Sequence, residues 1–151
     1  MLRATILVLI GGGIGAALRE LLMLGVANLP GGFPMPIFVA NMTATLLLGV
    51  FSALTTGGLI GSRGKLLLMT GILGGLSTFS SFVWGTHQLL TNPAEQVSAI
   101  VYVVLSMFGG FLLVELGLWL GGRFMRSHIE AAAREKNYKS GEGSKNSSYD
   151  R

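Results

Sequence analysis

The chain has 151 residues, half of them apolar, with 12% charged residues and no cysteine. A soluble domain usually carries roughly 25% charged residues, so an ordinary water-soluble domain is excluded and burial in lipid is the natural class. The net charge of +4 does not indicate a nucleic-acid surface, because seven of the eleven Lys and Arg lie beyond residue 122 and belong to a tail.

A helix needs about 20 mainly apolar residues to cross a bilayer core, and four such spans follow one another. The first covers residues 4–27. Arg3 followed by an apolar run looks like the start of a signal peptide, but Arg19-Glu20 intervenes, apolar sequence resumes and no convincing cleavage site follows. Gly11-Gly12-Gly13, Gly15 and Ala16-Ala17 give this span a face of small residues, which lets membrane helices approach closely. Pro30-Gly31-Gly32 with Pro34 and Pro36 then interrupts the chain.

The second span covers 36–56 and has no charge from Ile37 to Thr55; the third covers 65–90 and has none from Leu66 to Leu90. Glycines from Gly57 to Gly64 separate them. Before the fourth span, 94–122, Asn92 is placed to cap the helix, Pro93 suits its first position and Glu95 fits a capping box. The composition then divides the chain into a membrane domain, 1–126, and a charged tail, 127–151, expected to be largely disordered from about Lys136. Arg3, Arg63, Lys65 and all the tail cations fall on one side of four spans, and the other two loops carry none. The positive-inside rule therefore predicts a single orientation with both termini in the cytoplasm.

The third span carries the distinctive chemistry: Gly74-Gly75-Leu76-Ser77-Thr78-Phe79-Ser80-Ser81-Phe82. Two glycines followed by four hydroxyl residues near the middle of an apolar span mark a place where a helix can break. In lipid such a break is tolerated only where protein or a water-filled cavity satisfies the freed backbone, and freed carbonyls at a half-helix end make a natural cation site. Phe79 and Phe82, three apart, share a helix face. Read without any relative, the same segment also fits a kinked packing helix with two core phenylalanines.

The segment resembles the signature of the Fluc (CrcB) family of small bacterial fluoride channels, usually written Gly-Gly-x-Thr-Thr-Phe-Ser-Thr-Phe. Gly12 to Arg19 on the first helix and Ala40-Asn41 on the second also match, and the likeness covers roughly residues 5–122 in order. The resemblance implies an all-α integral membrane protein of four transmembrane helices, the third broken in mid-membrane. It further implies an antiparallel, dual-topology homodimer in the bacterial inner (plasma) membrane, with two fluoride pores and a structural sodium ion at the centre. Phe79 and Phe82 would line the pore, Asn41 would donate its amide to the anion, and the hydroxyls of Thr78 and Ser81 would join them. Carbonyls of Gly74 and Ser77 from both subunits would hold the sodium. Departures from the family pattern are Ala44 for a glycine, Gly85 for a carboxylate and Ser106 for an asparagine. Tyr102 and Ser106, four apart on one face, form a candidate hydroxyl track.

Arg19 is expected to line an aqueous vestibule, Glu20 and Glu115 to be interfacial, and His87 to be a helix-end residue without a metal partner. The function implied is passive fluoride export, with fluoride, sodium, lipid and a second copy as partners. The alternative is a small proton-coupled multidrug-type exporter, which needs a carboxylate central to the first helix, whereas Glu20 lies near its end. An enzyme is disfavoured, since no nucleophile, base and orienting group converge recognisably.

Overall fold

The computed structural model describes residues 2–147, with side chains through residue 131. The described residues are helical, with no strand among them. Helix α1 is Leu2–Gly25 and α2 is Met35–Thr56. The third span, Ser62–Thr91, is composite: α3 (Ser62–Lys65), a wide-turned π-helical stretch (Leu66–Leu73), α4 (Gly74–Leu76) and α5 (Phe79–Thr91). A 3₁₀ turn, Pro93–Glu95, leads into α6 (Gln96–Ser147). Four helices are thus long and apolar enough to cross a membrane, and the chain is a multi-pass membrane protein. Helices suit that medium because every backbone polar group finds its partner within the segment. Their outward faces are apolar, as in Leu9, Leu21, Phe108, Phe111 and Leu112, all exposed.

The breakers act where their chemistry requires. Pro34 and Pro36 stand at the start of α2, where a missing N–H costs nothing. At its end, Gly58 takes φ +79° and returns its N–H to the Thr55 carbonyl at 3.0 Å. Asn92 accepts the Ala94 N–H at 3.2 Å, the predicted cap, although it opens a 3₁₀ turn first. Glu95 does not close the box; its carboxylate lies against Gly32.

Glycines set two close helix seams. A methyl on Gly11 would stand 2.6 Å from the Leu67 carbonyl oxygen, and one on Gly15 or Gly75 would collide with the backbone of Ile72 or Gly12, respectively. This seam joins α1 to the third span. The second joins α2 to α6 through Gly49, Gly117 and Gly121, where added methyls would meet the facing backbone. Pairs four apart (Gly11/Gly15, Gly71/Gly75, Gly117/Gly121) supply the small-residue faces that such contact needs.

The fourth span does not stop at Gly122; α6 continues unbroken to Ser147. Glycines are tolerated in membrane helices, and beyond them Glu130-Ala-Ala-Ala-Arg134-Glu-Lys136 is rich in strong helix formers. The expected disorder from Lys136 concerns residues whose side chains, and from 148 onward whose backbone, lie outside the described residues.

Candidate functional site

Between α4 and α5 the helix is interrupted by two residues with extended backbone, Ser77 (φ −78°, ψ 149°) and Thr78 (φ −149°, ψ 116°). Asn41 on α2 spans the interruption. Its Oδ1 accepts the Thr78 N–H at 2.8 Å, and its Nδ2 donates to the Thr78 carbonyl at 3.4 Å. Thr78 then caps α5, its hydroxyl accepting the Ser81 N–H at 3.3 Å and lying 3.0 Å from the Ser80 hydroxyl. Its Oγ1 also donates to the Ser81 hydroxyl at 3.3 Å.

These bonds redirect two donors. In a continuous α-helix the Thr78 N–H would meet the Gly74 carbonyl and the Ser81 N–H the Ser77 carbonyl. Here the first goes to Asn41 and the second to the Thr78 hydroxyl. The two carbonyls singled out in the sequence as cation ligands are therefore among those that the interruption releases from their regular helical partners. Backbone oxygens of this kind suit a hard cation, and no group of three His, Cys, Asp or Glu among the described residues offers a competing metal site. Gly74 and Ser77 border a groove of about 120 Å³ with Ala44, Thr45, Leu48, Met69 and Leu73.

A second groove, of about 270 Å³, gathers most of the expected pathway. Asn41, Ser77, Thr78, Phe79, Phe82 and Ser106 line it, together with Met42, Thr45 and Met107. The rings of Phe79 and Phe82 lie 6.0 Å apart, tilted by 31°. Phe79 is 78% exposed, whereas Phe82 is half-buried and stacks 5.2 Å from Tyr102. No charged side chain lines the groove.

Three expected residues stand outside this lining. Tyr102 is fully buried behind Phe82, against Phe33, Leu89 and Ala99, and its hydroxyl has no hydrogen-bond partner. Ser81 meets the groove only through Thr78, whose hydroxyl accepts its N–H and donates to its Oγ. Arg19, half-buried on α1, donates from Nη1 to the Gly75 carbonyl at 3.3 Å and so holds the strand of backbone next to the interruption. Thr45 was not anticipated; it sits one turn after Asn41, donates to the Asn41 carbonyl at 2.8 Å and borders both grooves. Its i, i+4 spacing from Asn41 was the available signal.

The family described as CrcB-like protein, Camphor Resistance (CrcB), matches residues 6–118. The chain is 49% identical over 116 residues to the protein named Fluoride-specific ion channel FluC 3 of Yersinia pseudotuberculosis serotype I (strain IP32953), covering 77% of this chain and 87% of that one. It is 38% identical over 116 residues to the Fluoride-specific ion channel FluC of Hydrogenobaculum sp. (strain Y04AAS1), covering 76% and 94%. It is 40% identical over 122 residues to Fluoride-specific ion channel FluC 1 of Brucella abortus biovar 1 (strain 9-941); that match covers 80% of this chain but 45% of the relative, so the chain spans about half of that protein's length. With its signature segment and most of its length matched, the chain belongs to the CrcB family.

Proposed function

We propose that this chain is a fluoride-selective ion channel that lets fluoride leave the cytoplasm passively and so lowers its toxicity. The observation carrying this reading is the groove in which Asn41, Thr78, Phe79, Phe82 and Ser106 converge without a charged side chain, in a family whose curated members above are named fluoride-specific channels. Fluoride gives up a tightly held water shell, so a pathway must replace hydrogen-bond donors along its length. Asn41 gives one amide hydrogen to Thr78 and has a second to offer. The Ser106 hydroxyl can rotate to donate, those of Thr78 and Thr45 can do so by leaving Ser81 and the Asn41 carbonyl, and the rims of Phe79 and Phe82 present the positive part of the ring quadrupole. Each is a partial charge, so the anion is bound well enough to enter and weakly enough to leave. The proton-coupled exporter reading would need a carboxylate in the path, and Glu20 is exposed near the end of α1, away from both grooves. Reconstituted protein should release fluoride with no proton gradient imposed. Strict dependence of release on a pH gradient would restore the exporter reading.

The working unit in this reading is an antiparallel, dual-topology homodimer in the inner (plasma) membrane, with the Ser77–Thr78 interruption at mid-membrane. A two-fold axis lying in the membrane plane then brings two copies of the Gly74 and Ser77 carbonyls together around a structural sodium ion. The ion supplies a fixed positive charge that ties the two halves to each other. Against this stands the charge asymmetry: Arg3, Arg63, Lys65, Arg123 and Arg126 lie near span ends on one side. Bundling forces that favour the pair must outweigh that bias in half of the molecules. A cysteine placed in the tail should accordingly be labelled from outside on a substantial share of copies, and protein prepared free of sodium should melt at a lower temperature. Protection of every copy would defeat the antiparallel arrangement, and identical melting with and without sodium would remove the ion.

A further inference from the structure

A concavity about twice the volume of the ion groove lies elsewhere on the molecule. It has a volume of about 560 Å³ and is lined by Arg3, Ala4, Ile6 and Leu7 from α1 and by Arg63 and Leu66 from the start of the third span. Two arginines 60 positions apart are thus brought to one depression whose remaining walls are apolar. Both side chains are exposed, and neither has a carboxylate partner among the described residues. A guanidinium fork matches phosphate oxygens and sheds water more readily than an ammonium.

We propose that this groove is a binding site for an anionic phospholipid, the phosphate held between Arg3 and Arg63 and an acyl chain lying along Ile6, Leu7 and Leu66. The two kinds of lining choose the ligand together. A free phosphate would gain nothing from the apolar wall, and an uncharged acyl chain nothing from the two cations. The position fits as well, since Arg3 and Arg63 sit at the ends of membrane-crossing helices, where a headgroup lies. The site is independent of what the channel conducts.

The same end of the molecule supplies its own control. The Met125 side chain lies on Gly57, so the end of the fourth span stands beside the turn before Arg63. There Arg123 and Arg126 border another groove, and the Arg123 guanidinium already lies 5.6 Å over the Trp119 ring. Removing those two charges changes the net charge of this end as much as removing Arg3 and Arg63 does.

The test is native mass spectrometry of the full chain, purified in detergent and given equimolar phosphatidylglycerol and phosphatidylcholine with the same acyl chains. The wild-type chain should retain phosphatidylglycerol over phosphatidylcholine by roughly tenfold or more. The preference should vanish with Arg3→Gln and Arg63→Gln combined and persist with Arg123→Gln and Arg126→Gln combined. Excess inorganic phosphate should not displace the lipid. The proposal is overturned if the first pair keeps the preference, if the second pair loses it equally, or if inorganic phosphate competes. Should the first pair not survive gel filtration, the test passes to Arg3→Lys with Arg63→Lys, which keeps charge but not the fork. A reduced preference then supports the site, and an undiminished one overturns it.

Discussion

Phe79→Ile and Phe82→Ile should each cut fluoride flux severely while the folded protein survives. Isoleucine keeps apolar bulk and removes the ring quadrupole, so whatever the ring edge contributes to the anion is lost. If that contribution is comparable to a hydrogen bond with a charged partner, about 1.5–3 kcal/mol, flux falls by roughly ten- to a hundredfold. The two positions differ in what else they lose. Phe79 is largely exposed, so its replacement should leave stability almost unchanged. Phe82 stacks on Tyr102 at 5.2 Å, and losing that aromatic pair should cost roughly 1 kcal/mol. Flux measured beside a melting curve separates the roles. Undiminished flux in both variants would return the rings to packing.

Asn41→Ala should be the most damaging single change, because it removes the acceptor of the Thr78 N–H and one of the two donors to the Thr78 carbonyl, which keeps only the Phe82 N–H. A backbone group left unsatisfied away from water costs about 1–3 kcal/mol, and the interruption loses the side chain that spans it. Thermal melting in detergent should register that loss, and flux should disappear. Asn41→Asp distinguishes the two functions of this residue. It keeps an oxygen for the Thr78 N–H but puts a negative charge into the anion's path, so it should fold and fail to conduct. An Asn41→Ala protein that melts and conducts like the wild type would contradict the geometry described for the interruption.

How much of this was legible beforehand depended on the range of each interaction. The four spans follow from composition alone, since long stretches without charge have few other fates. The glycine face of α1 was readable for the same reason, although its partners, Gly71 and Gly75, were not. Asn41, Ser77, Thr78, Phe79 and Phe82 follow from the resemblance and Ser106 from its spacing to Tyr102, and the fold gathers these six at one groove. The clamp between Asn41 and Thr78 was invisible, because it joins residues 37 positions apart and neither end carries a local mark. The π-helical stretch Leu66–Leu73 was hidden for a different reason. A uniformly apolar run has no periodicity from which a wider turn could be read. The fourth span reads as ending at 122 because charged sequence follows it. In this chain Gly121 packs against Val50 and Ala53 of α2, and the helix runs through.

The most direct measurement is ion release from liposomes holding the purified chain, loaded in parallel with potassium fluoride or potassium chloride and opened with valinomycin. Fluoride release should be rapid in the absence of any pH difference, with chloride retained, and absent from liposomes carrying the Asn41→Ala chain. Fluoride and chloride leaving at equal rates, or fluoride leaving no faster than from protein-free liposomes, would contradict passive, selective fluoride conduction.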